Sequence, residues 1–297
     1  MWYIVCFVKE DILHTFAVML VLASGISHAV WNMLTKQSQN KMLYLWMIFV
    51  PSTLLLLPRL IEEALRPGTS WQGYLLLALS MSIQGGYAFF LSQSLTYGDI
   101  SQVYPMMRGI GVLLIPLVST VFLNESLTLW GWSGLALIAL GFCTTSGLAF
   151  FRNKRAIPGK VILYTVGVGI CTMSYVLVDK INLFHFSPIA LLEASNIGFM
   201  LGLTPFIRFR SVEWRKEIRR SGRLLLIGSI LSPGSYLLFL FAMNLSPLTY
   251  VAPLREIGTV IGTVAGIYLL KEPREITRII SAGIIFTGIV LIGIWGI

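Results

Sequence analysis

Apolar stretches of about twenty residues recur from one end of this chain to the other, separated mostly by joints of a few residues. A helix of that length crosses a hydrocarbon core of roughly 30 Å. Backbone buried in lipid must satisfy its own hydrogen bonds, which confines such stretches to helices. A barrel would show alternating runs of about ten residues, and that pattern is missing from the sequence. Composition agrees: 56% of the 297 residues are hydrophobic and 12% are charged, against about 25% charged in soluble domains.

The runs predict an all-α integral membrane protein with ten transmembrane helices, at residues 12–35, 42–61, 72–97, 102–123, 128–150, 161–182, 188–207, 224–245, 250–270 and 277–297. The joints carry breakers such as "RPGTS", "NES", "FHFSP" and "NLSPLT". One joint, 208–223, is long and basic. The opening "MWYIVCFVKED" has too short an apolar core for a signal peptide, so the first span is expected to anchor the chain. The three cysteines have no paired or metal-binding spacing, and Cys143 and Cys171 fall inside apolar runs, where a thiol acts as a small hydrophobe.

Sixteen of the 22 lysines and arginines fall in the joints after spans 1, 5, 7 and 9. The opposite side holds Lys9, Arg59, Arg66 and Lys180, and Arg108 and Arg255 complete the set. The positive-inside rule then puts the odd-numbered joints in the cytoplasm and both termini outside. It also explains the net charge of +9 without nucleic acid, and the basic run at 208–223 as a lipid-facing segment.

The chain also repeats itself. "RGIGVLLIPLVSTVFLNESLT" (108–128) lies over "REIGTVIGTVAGIYLLKEPRE" (255–275) at a constant shift, pairing Arg108 with Arg255, Gly111 with Gly258 and Glu125 with Glu272; Gly141 meets Gly288 at the same shift. "GISHAVWNMLTK" (25–36) lies over "GICTMSYVLVDK" (169–180), pairing Trp31 with Tyr175 and Lys36 with Lys180. Each half, 12–150 and 161–297, holds five spans. Five is odd, so the second half enters the membrane from the opposite face: two inverted five-helix repeats, with a site expected near the midplane.

These features resemble the drug/metabolite transporter superfamily, and in particular the EamA-type permeases. The resemblance is carried by the "LNES" and "LKEP" turns ending the fourth span of each half, by the small residues in the fifth, and by "HAVWNMLTK" and "VYPMMRG". It implies a cavity lined mainly by spans 1, 3, 4, 6, 8 and 9, with spans 5 and 10 outside it. It does not imply a substrate. Many members keep their termini in the cytoplasm, opposite to the charge tally here.

Arg108 and Arg255 are the first candidates for a binding role. Ser101 and Thr249 read as helix N-caps, and Pro105 and Pro253 suit a first helical turn. Each arginine is thus expected within about a turn of a helix N-terminus, an anion-favouring end, with a guanidinium fork matched to carboxylate or phosphate oxygens. The competing reading is that each snorkels to the headgroups. Recurrence in both halves favours function.

His28 and Asn32 share a face of the first span with Trp31 beside them, offering hydrogen bonds and a ring face; interhelical bonding is the alternative. Gln84, Tyr87 and Gln93 on the third span, Tyr175 on the sixth and Tyr236 on the eighth are expected wall residues. Glu193 and Asn196 lie mid-span in "ALLEASNIGF", where a carboxylate is a functional hypothesis by default; it could carry a coupling proton or neutralise an arginine. Glu256 is read as a partner of Arg255. Gly258, Gly262 and Gly266 read as a packing ridge, and Lys36 and Lys180 as interfacial anchors.

No nucleotide-binding loop, metal cluster or catalytic triad appears in the sequence, so neither an enzyme nor a cofactor is expected. The reading is a secondary transporter in the cytoplasmic membrane, a monomer or weak homodimer among lipids, moving a small anionic or zwitterionic, amino-acid-like solute by alternating access. Export of amphipathic cations or drugs is one alternative. A non-transporting scaffold or lipid-acting enzyme is another.

Overall fold

The computed structural model describes residues 2–38, 40–98, 100–152, 158–207, 211–268 and 276–297. Helix α1 spans Trp2–Gln37, α2 Lys41–Met47, α3 Val50–Ala64, α4 Trp71–Tyr97, α5 Ile100–Phe122 and α6 Leu129–Arg152. In the second half, α7 spans Gly159–Asn182, α8 Pro188–Leu203, α9 Ser211–Leu245, α10 Leu248–Leu254, α11 Ile257–Tyr268 and α12 Ile276–Trp295. A 3-10 turn, Thr204–Phe206, extends α8, and no strand occurs among the described residues.

Among these residues, eight segments are long and apolar enough to cross a membrane, and Leu129–Thr145 of α6 is a shorter apolar helix. Ten uniform spans were expected; the differences have local causes. The second is split into α2 and α3 at Ile48–Phe49, because Pro51 has no N–H to return to the Met47 carbonyl. The ninth is split into α10 and α11 by a turn at Arg255–Glu256, where Glu256 N–H bonds Pro253 and Gly258 N–H bonds Arg255, both three residues back. The basic joint at 208–223 is helical from Ser211 onward, as the start of α9. The first helix begins at Trp2, well before residue 12.

Packing follows the internal repeat. Helix α1 packs on α9 as α7 packs on α4, and α1 on α11 as α7 on α5. Helix α6 packs on α12, its own counterpart. Two glycine contacts show the exchange. A Cβ at Gly25 would strike Arg255 O at 2.6 Å and lie 3.2 Å from Gly258 N, while one at Gly169 would strike Ile110 and lie 3.6 Å from Gly111 N. A Cβ at Gly141 would come within 3.0 Å of Ser281 O, and one at Gly288 within 3.1 Å of Ile138 N. Of the expected glycine ridge, Gly258 meets a backbone this closely and Gly262 does not; Gly258, Gly262 and Gly266 all border a cavity.

One end of the bundle is tied shut by side chains on helix termini. The Glu125 carboxylate accepts the N–H groups of Leu248 and Thr249 at 2.8 and 2.7 Å, satisfying the free donors at the start of α10. Glu63 accepts Ser187 N–H at 2.9 Å and its hydroxyl at 2.6 Å, where Ser187 caps α8. Lys180 donates to the carbonyls of Met243 and Ser246 at the end of α9, with Glu125 4.0 Å away. Lys180 is thus a strut within the protein and not the interfacial anchor expected of it. The side chain of Lys36 and the whole of Glu272 lie outside the described residues.

Candidate functional site

The opposite end opens into a cavity of about 760 Å³. Its lining runs from Lys41, Gly98, Gly266 and Arg278, at helix ends, down to Tyr175, Phe239 and Arg255. Among the described residues, none at the tied end lines it. Of the nine residues expected to bind solute, His28, Trp31, Asn32, Tyr87, Arg108, Tyr175 and Arg255 border this space. Gln84 and Tyr236 do not. Gln84 is buried behind the wall, 3.4 Å from the Ser195 hydroxyl. Tyr236 stacks edge-on behind Tyr175, with centroids 5.8 Å apart.

The floor is built around His28. Arg108 Nη1 lies 3.3 Å from its Nε2, and Arg255 Nη2 lies 3.5 Å from its Nδ1. Trp31 Nε1 also points at Nδ1, at 3.2 Å, and the two rings meet at 90°. Asn32 folds its amide back on the His28 carbonyl at 2.8 Å. One arginine from each half of the chain therefore converges on a single imidazole.

Glu256 belongs to Arg108. Its Oε1 lies 2.7 Å from Arg108 Nη2, and its Oε2 accepts the Thr259 hydroxyl at 2.8 Å. This corrects the expected Arg255–Glu256 pairing: the turn between α10 and α11 sends neighbouring side chains different ways. Arg255 has no carboxylate partner among the described residues. Its guanidinium sits 4.5 Å over the Phe239 ring and 5.9 Å over Tyr236, and its Nε has no hydrogen-bond partner.

The local helix geometry differs from expectation. Arg108 is the ninth residue of α5, two turns from its start, and Pro105 lies inside the helix. Thr249 is not the cap of α10: that position is Pro247, and Glu125 holds the free N–H groups. The side chain of Ser101 lies outside the described residues. Arg255 sits in the turn between two helices, the kind of interrupted segment that transporters place at solute sites.

Glu193 and Asn196 bond each other at 3.1 Å, with Ser52 3.4 Å from Asn196, and neither residue borders the cavity. Glu193 therefore neutralises neither arginine. The fifth and tenth spans, implied to lie outside, contribute Phe142 and Thr145 from α6 and Arg278, Ala282 and Ile285 from α12. Sequence reasoning also passed over Tyr104 and Phe239 in the wall. Tyr104 stood in plain view in "VYPMMR", four residues before Arg108 and so on its helix face.

The family model for EamA-like transporters matches residues 15–147 and again 159–294. The chain belongs to the EamA-like transporter family. The double match covers both halves recognised from the internal repeat. A solved protein crystal structure superposes with a TM-score of 0.71 over 95% of this chain and 96% of its own, at 13% identity, which speaks for the shared fold. No curated protein matches this sequence. A membrane transporter is therefore the class to which the cavity and its floor belong.

Proposed function

We propose that this EamA-like protein is a secondary transporter that moves a small anionic or zwitterionic, amino-acid-like solute across the cytoplasmic membrane by alternating access. The observation that carries the reading is an excess of donors at the cavity floor. Arg108, Arg255 and the Trp31 indole all aim at His28, and a neutral imidazole offers a single lone pair. Two guanidiniums face one carboxylate, Glu256. A solute carboxylate or phosphate-type group placed between them supplies the missing acceptors and the missing charge. The cavity volume suits a small metabolite. Trp31, Tyr87 and Tyr175 offer ring faces to the rest of the molecule, and Glu256 offers a partner for an amine.

In this reading the membrane is crossed ten times, with α2–α3 and α10–α11 each making one interrupted pass, and the second half is inverted relative to the first. The basic joints face the cytoplasm and both termini lie outside. The cavity reaches the basic end, so the conformation is inward-open, with Glu63, Glu125 and Lys180 sealing the outer end. Alternating access then consists of undoing those ties while the inner end closes.

The test is a thermal-shift screen of the purified protein against zwitterionic amino acids, dicarboxylates, phosphorylated amino acids and organic cations, since a ligand of the folded state raises its Tm. Stabilisation by solutes bearing an anionic group, lost in Arg255→Ala, is expected. Stabilisation by organic cations alone would replace this reading with the cation-export one.

A further inference from the structure

Asp179 is a fully buried carboxylate that the solute site does not use. It lies on α7, three residues from the helix end. The Ser80 hydroxyl of α4 donates to its Oδ1 at 2.5 Å, and the Tyr236 phenol of α9 donates to its Oδ2. Ser195 of α8, whose hydroxyl accepts from the Gln84 amide, is a further polar neighbour. Two helices thus deliver hydroxyls to one carboxylate. Among the described residues it makes no ion pair with a lysine, arginine or histidine. Lys180, next in sequence, is turned to the α9 carbonyls and Glu125. Helix α5 sends Arg108 to the cavity, and Arg255 stands beyond the Tyr236 ring. The other titratable groups nearby are the phenols of Tyr236 and Tyr175.

We propose that Asp179 binds the coupling proton, and that Tyr236 relays its protonation to the arginine floor. This rests on the transport reading above. Ionised, the carboxylate only accepts, and both hydroxyls donate to it. Protonated, it carries one O–H of its own, so one of those hydroxyls must turn round and accept. Tyr236 is the member that touches the solute site: its ring stacks on Tyr175, which lines the cavity, and carries the Arg255 guanidinium over its face. The fully buried Asn182, one turn on and on the same helix face, leaves both amide atoms unpaired and so has partners to offer the rearranged network. The proton comes from the open cavity past Tyr175 and Tyr236 and leaves when the opposite end opens. Glu193 lacks such a link, since its bond is to Asn196, away from the cavity.

The experiment needs no solute, so its failure is separable from failure of the solute reading. The full chain, reconstituted in lipid vesicles, is titrated by difference infrared spectroscopy. Among the protonated-carboxyl bands that rise with acid, one is expected in wild type and in Glu193→Gln and is missing in Asp179→Asn. In a background with the native cysteines replaced, a Thr145→Cys reporter at the cavity is then labelled with an impermeant thiol reagent. Its labelling is expected to change with pH beyond the thiol's own titration, and that excess is expected to vanish in Asp179→Asn. Should Asp179→Asn fail to fold, Tyr236→Phe, which removes one donor and keeps the carboxylate, must shift the midpoint of the band. A full, unchanged set of carboxyl bands in Asp179→Asn, a midpoint indifferent to Tyr236→Phe, or reporter labelling with the same pH dependence in both proteins would overturn the proposal.

Discussion

Arg108 of the first half and Glu256 of the second meet at 2.7 Å across the cavity floor. Arg255, the counterpart of Arg108 in the internal repeat, makes no such pair among the described residues. The asymmetry arises in the backbone: α5 continues unbroken past Arg108, whereas the helix carrying Arg255 breaks there and turns Glu256 toward the other half. Removing one partner of a buried ion pair is costly because the other charge stays behind. Glu256→Gln is expected to lower stability by about 3–5 kcal/mol, read as a lower Tm. Arg108→Gln/Glu256→Gln should recover part of that loss. Two single effects that merely add would show that the pair is not coupled.

The glycine exchange between halves gives a second expectation. Gly25→Ala and Gly169→Ala place a methyl against the backbone or side chains of the facing helix at crossings paired by the internal repeat. Each should destabilise by about 1–3 kcal/mol. Gly283→Ala, with nothing within 4 Å of the new atom, should leave the melting temperature near wild type. Indifference to Gly25→Ala together with sensitivity to Gly283→Ala would contradict the packing described.

The sealed end should open when its carboxylate is removed. Glu125→Ala strips two hydrogen bonds from the start of α10 and is expected to cost about 1–2 kcal/mol, as loss of a helix cap does. It also frees Lys180. A cysteine introduced at Ser246, buried in wild type, should become reactive to a thiol reagent in the Glu125→Ala background. Continued protection there would show that Glu125 is a local cap and no part of the seal.

Orientation is decided by labelling intact cells with an impermeant thiol reagent. In a background without native cysteines, Lys216→Cys in the exposed, basic start of α9 should be protected, and a cysteine at the exposed Ile297 should react. The reverse pattern would turn the molecule over in the membrane and make the cavity outward-open, with the fold untouched.

Much of the cavity was legible in the sequence. His28, Trp31, Arg108 and Arg255 could be found because polar and aromatic side chains in apolar runs stand out, and because the arginines recur at one shift. The break at Arg255–Glu256 was not legible. "APLREIG" has helix-compatible residues on either side of the turn, and the turn is packed against Gly25 of α1, far away in sequence. Asp179 and Lys180 escaped for a related reason. Nearness to the end of a span does not reveal depth, and "VDK" reads as an ordinary interfacial terminus until α4 and α9 are packed over it. Glu193 misled in the opposite sense: a mid-span carboxylate can be spent on a neighbouring asparagine.

The central claim is that the two arginines hold an anionic group of the solute, and transport by Arg255→Lys tests it most directly. Arg255 has no carboxylate to lose, so Arg255→Lys and Arg255→Ala should both fold with a Tm near wild type. An ammonium keeps the charge but not the planar fork. In vesicles loaded with the solute that stabilises the wild type, counterflow by Arg255→Lys should fall roughly 10-fold or more, the worth of a charged hydrogen bond of about 1.5–3 kcal/mol, and Arg255→Ala should fall further. Full counterflow by Arg255→Lys at wild-type affinity would contradict the account.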